Sequence, residues 1–61
     1  MKYKITHKET GLFVIWDEEN FEEVIKILER GHRKVMSVRG NVMYPLTIET
    51  ASIEELDKEN A

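Results

Sequence analysis

Residues 12–16, LFVIW, put five apolar side chains in succession into a chain of only 61 residues. Successive residues of a strand point to opposite faces of its sheet, so this run presents apolar groups on both sides. A chain this short sits near the lower limit for folding unaided and can build only one small core. The run therefore demands a cover for its second face as well as its first.

The segment before it, residues 2–8 (KYKITHK), alternates: Tyr3, Ile5 and His7 on one side, Lys2, Lys4, Thr6 and Lys8 on the other. That period predicts a strand. Between the two strands lies ETG, read as a three-residue loop with Gly11 at the position that needs a positive φ. This loop pairs His7 with Phe13, Ile5 with Ile15 and Lys4 with Trp16. It sends Phe13 and Ile15 to the core and Leu12, Val14 and Trp16 to the outer face.

Asp17 is expected to cap a helix running through EENFEEVIKILERG. Phe21, Val24, Ile25 and Leu28 recur at helical spacing, Arg30 lies in the last turn and Gly31 occupies a C′ position. Residues 32–38 and 42–49 read as a second hairpin around RGN, with Asn41 in the left-handed region. That register turns Met36, Val38, Val42, Tyr44, Leu46 and Ile48 inward, and Val35 and Met43 outward. A two-residue Gly40–Asn41 turn would shift the register and flip one strand. Pro45 places the fourth strand at an edge. Ser52 with Glu55 three residues on is a capping box, predicting a short helix over 53–59.

The expected fold is a single α+β domain over 1–61. Its order is ββαββ with a short C-terminal helix, two antiparallel hairpins forming one sheet packed on one main helix. Residues 52–61 could attach only loosely as a tail.

Charge divides by segment. Residues 17–29 carry six acids and one lysine, whereas residues 30–48 carry Arg30, Arg33, Lys34 and Arg39 and no acid. The expected outer sheet face is thus basic: Lys2, Lys4, Lys8, Arg33 and Arg39 surround Leu12, Val14, Trp16, Val35 and Met43. An apolar patch of that size marks an interaction surface. Its expected occupant is a second copy of the chain or another protein, with Trp16 the strongest anchor by type and Lys4, Lys8 and Arg33 setting orientation, unless the C-terminal helix folds back to lay Ile53 and Leu56 on Trp16. Two alternatives use charge. Lys2, Lys4, Lys8, Trp16, Arg33 and Arg39 could hold single-stranded nucleic acid weakly. Glu18, Glu22, Glu29, Asp57 and Glu59 could imitate a row of phosphates.

Other classes find little support. The chain has no cysteine, which removes disulfides and thiolate metal sites. His7 and His32 stand 25 residues apart without a metal-ligand pattern, and there is no Ser-His-Asp set, P-loop or G-x-G-x-x-G. The expectation is a cytoplasmic protein that acts by binding, with no catalytic residues, metal, cofactor or membrane anchor.

Overall fold

The computed structural model describes residues 1–56 and shows a small α+β fold. Among the described residues the elements are β1 (Lys2–His7), β2 (Phe13–Asp17), α1 (Phe21–Arg30), β3 (Lys34–Met36), β4 (Met43–Pro45) and β5 (Ala51–Glu55). They form two antiparallel sheets rather than the expected one. The first has the order β2-β1-β5 and the second is the β3-β4 hairpin.

The first hairpin closes through residues 8–11, one residue longer than expected. His7 N–H donates to Leu12 O at 2.7 Å and Gly11 N–H donates to His7 O at 2.8 Å. Gly11 takes the positive φ, at 78°. The loop is stitched to the buried His7 ring. Thr10 N–H donates to His7 Nδ1 at 3.3 Å, Thr10 Oγ1 lies 3.2 Å from the same nitrogen, and Leu12 N–H donates to Thr10 Oγ1 at 3.3 Å. The extra residue moves the register, so Tyr3 faces Trp16, Lys4 faces Ile15 and Ile5 faces Val14. A shift of one residue flips every side chain of one strand. Leu12, Val14 and Trp16 accordingly turn toward the core, and Phe13 and Ile15 turn outward, the reverse of the expectation.

The second hairpin departs in the same way. Ser37 N–H donates to Val42 O and Gly40 N–H to Ser37 O, both at 2.8 Å, enclosing residues 38–41. Gly40, not Asn41, holds the left-handed conformation, at φ 75°; no residue other than glycine has a positive φ among those described. Asn41 contributes its side chain, accepting from the Ser37 hydroxyl at 3.2 Å. Val35 therefore pairs with Tyr44 and Met36 with Met43. Val35 is buried and Met36, Val38, Val42 and Ile48 are exposed, again opposite to the expected faces, while Leu46 and Tyr44 keep theirs.

The helix begins later than expected. Glu18 N–H donates to Met1 O at 2.9 Å, which carries the β1–β2 ladder past Asp17 and keeps that residue extended. Asn20 is the N-cap, its Oδ1 accepting from Glu23 N–H at 3.0 Å. Asp17 instead lies 3.1 Å from the Met1 ammonium. At the other end Gly31, at φ 71°, donates to Leu28 O. Lys26 pairs with Glu23 at 3.6 Å.

The capping box at Ser52 and Glu55 does not produce a helix within the described residues. Residues 51–55 form β5 along the free side of β1, with Ile5 opposite Ile53 and His7 opposite Ala51. A short isolated helix is marginal in water, and a strand that completes a ladder beside a buried neighbour gains more. The chain reaches this position through a threonine turn: Thr47 N–H donates to Thr50 Oγ1 at 3.0 Å, Thr50 N–H to Thr47 Oγ1 at 3.2 Å, and Ala51 N–H to Thr47 O at 3.0 Å. The remainder of the expected helix, residues 57–59, lies outside the described residues.

Tyr3, Ile5, Val24, Leu28, Val35, Leu46 and Ala51 form the buried core, with Leu12, Val14, Trp16, Tyr44 and Ile53 packed around it. The inner face of β2-β1-β5, two residues of α1 and one residue each side of the β3-β4 hairpin thus share one interior. Replacing the observed cap, Asn20→Ala, is expected to cost about 1 kcal/mol. Asp17→Ala should stay within about 0.5 kcal/mol, as for most exposed positions. Urea denaturation of the two variants side by side checks this; a larger loss at Asp17 would restore it as the cap.

Candidate interaction surface

The outer face of β2-β1-β5 is read directly from the strand register. One cross-strand row runs Ile15–Lys4–Glu54, the next Phe13–Thr6–Ser52, and Lys2 sits opposite Asp17. Phe13 is 53 % and Ile15 46 % exposed, both on a strand whose far edge has no partner strand among the described residues. Lys4 Nζ stands 4.5 Å from the centroid of the Phe13 ring, so its stem lies over apolar surface while its charge meets the ring face. Leu56 is also exposed. The face is apolar along β2 and of mixed charge across β1 and β5.

Few of the anchors expected from the sequence lie on this surface. Leu12, Val14 and Trp16 pack against the core from the inside, and Val35 is part of that core. Met43 is exposed, but on the other sheet. Lys2 and Lys4 do sit on the outer face, Lys8 is exposed in the first loop, and Arg39 is exposed in the loop between β3 and β4. Arg33 holds its guanidinium 5.3 Å from the centre of the Trp16 ring, so the lone tryptophan is a partly covered edge of the core with a cation over it. The six residues considered for nucleic-acid contact therefore share no single face. Of the five acids considered as a phosphate row, Glu18, Glu22 and Glu29 lie in or beside α1, and Asp57 and Glu59 fall outside the described residues.

Phe13, Ile15 and Glu54 are the surface residues that reading the sequence missed. A run that is apolar on both sides carries no alternation to say which half faces inward. Gly11 does not settle the matter either, because it can close the shorter loop or the longer one. The informative residues are His7 and Thr10, whose hydrogen bonds select the longer loop.

Elsewhere, an open depression of about 380 Å³ lies between the end of α1 and the threonine turn, lined by Leu28, Glu29, Gly31, Thr47, Ile48 and Glu49. Its Thr47 hydroxyl is 3.0 Å from Thr50 Oγ1 and already engaged. Among the described residues no group of three or more His, Asp or Glu side chains is placed to hold a metal ion. No helix among them is long and apolar enough to cross a membrane. His7, 3 % exposed, lies with its ring 5.2 Å from that of Tyr44 and works within the fold.

The chain matches no protein-family model, no curated protein and no solved structure. The two sides of β2 can be told apart by substitution. Trp16→Ala is expected to cost about 2–3 kcal/mol through lost packing, whereas Ile15→Ser should cost under about 1 kcal/mol in dilute solution. Thermal melts at low protein concentration check this, and the opposite order would return Trp16 to the outer face.

Proposed function

We propose that this chain acts by binding rather than catalysis, and that it self-associates through the outer face of β2-β1-β5. The observation that carries the reading is the composition of that face. Phe13 and Ile15 stay about half exposed beside a cross-strand pair of opposite charges, Lys4 and Glu54. In a two-fold interface the same patch meets itself, so a face of one charge sign repels its copy. A face of mixed sign does not: the lysine of one copy can lie against the glutamate of the other while the apolar strands cover each other. Burying those side chains also adds to the small core that one copy can build, which favours association. A cysteine-free composition suits a reducing cytoplasm, where such a protein would need no covalent link between copies.

The expected result is a dimeric mass by light scattering on a sizing column, at both low and high salt, because apolar burial is little screened. Ile15→Glu should give a monomer with unchanged circular dichroism. Lys4→Glu should weaken the dimer, and adding Glu54→Lys to it should restore the mass. A wild-type chain that stays monomeric at about 1 mM, the weak end of measurable affinities, would sink the proposal.

A further inference from the structure

The β3-β4 hairpin carries a second surface whose character differs from that of the first sheet. Its inner side is given to the core by Val35 and Tyr44. Its outer side exposes Met36 and Met43, paired across the ladder and 51 % and 54 % exposed. Val38, in the connecting loop, is 92 % exposed, and Val42 is exposed after it. Around these apolar groups stand the exposed Lys34 and Arg39, and the whole segment from residue 30 to 48 contains no acid.

The hairpin's own residues supply charge of one sign, which does not complement a copy of itself, in contrast to the outer face of the first sheet. The hairpin calls for an occupant that is acidic. It also calls for one that is apolar, because a bare phosphate chain would leave the methionines and valines in contact with water. Methionine and arginine are enriched in protein interfaces, and the unbranched thioether adapts its shape to different partners. The aromatic that could stack on a base, Tyr44, is turned inward against His7. We infer that the outer face of the β3-β4 hairpin docks an acidic amphipathic segment of another protein. Met36 and Met43 meet the apolar stripe of that segment, and Lys34, on the same face, meets its carboxylates together with Arg39 of the adjoining loop.

This surface is independent of the self-association proposed above and is tested separately. The full chain, labelled with nitrogen-15, is titrated with a synthetic helical peptide that bears glutamates around a leucine and phenylalanine stripe. The expected result is saturable shifts of amide signals confined to the hairpin, and none with the same peptide carrying lysine for glutamate. Joint Lys34→Glu and Arg39→Glu substitution should weaken binding by roughly tenfold or more, the order expected for placing like charges in contact. Met36→Ser, at an exposed position that the fold does not need, should weaken it independently. Four outcomes would overturn the inference. They are no saturable shift by about 1 mM peptide, a weak affinity that such a surface should still exceed; equal binding of the lysine peptide; tighter saturation by a duplex oligonucleotide or by phosphatidylserine vesicles; and hairpin shifts that depend on protein concentration alone, which would put a second copy there.

Discussion

The contact between Thr10 and the His7 ring accompanies the loop length that sets which side of β2 faces inward. His7 is a polar side chain within an apolar interior, and a buried polar group costs free energy unless it is hydrogen-bonded. The residue placed to satisfy it belongs to the adjoining loop, and reaching it requires residues 8–11 to form the connection. Once the loop has that length, the pairing of β2 with β1 is set, and with it the destination of every residue from Leu12 to Asp17. Trp16 joins the core rim, where Arg33 covers its outer ring face, and Phe13 is turned out beside Lys4. A local hydrogen-bond requirement thereby determines the chemical character of a whole surface.

The same molecule presents two apolar surfaces with different electrostatic rules. On the first sheet, lysines of β1 stand next to acids contributed by β2 and β5, because β5 brings Glu54 in beside Lys4. The hairpin's own segment differs, since the chain from Arg30 to Ile48 contains no acid. Association through the first surface would suit a copy of the chain, and through the second an acidic partner. Among the described residues neither surface is covered by a second layer of secondary structure. The ten-residue helix among them covers the inner side, where Val24 and Leu28 are buried.

Much of the architecture was legible in the sequence. The alternation of residues 2–7, the helical spacing of Val24 and Leu28, and the glycine after Arg30 each mark their element through local chemistry. The later start of α1 was not legible in this way. Asp17 and Asn20 are both good caps by residue type, and the choice went to Asn20 because the ladder between Met1 and Glu18 holds Asp17 extended. At residues 51–55 local preference favours a helix, and the unpaired side of β1 overrode it. Both cases are decided by a partner strand distant in sequence, which no local pattern contains.

What the sequence by itself determined is the kinds of element and their order as far as β4, and the separation of acidic from basic segments. These follow from periodicity, capping residues and composition, which act over a few neighbouring positions. The folded structure decided both hairpin registers, the recruitment of residues 51–55 as a third strand, and the division of the strands between two sheets. The physical reason is the strand's two-residue period. In LFVIW both alternate sets of side chains are apolar, so burial of either set is comparably favourable. The decision then passes to the hydrogen bonds of the turn and to the neighbours that the rest of the fold brings alongside.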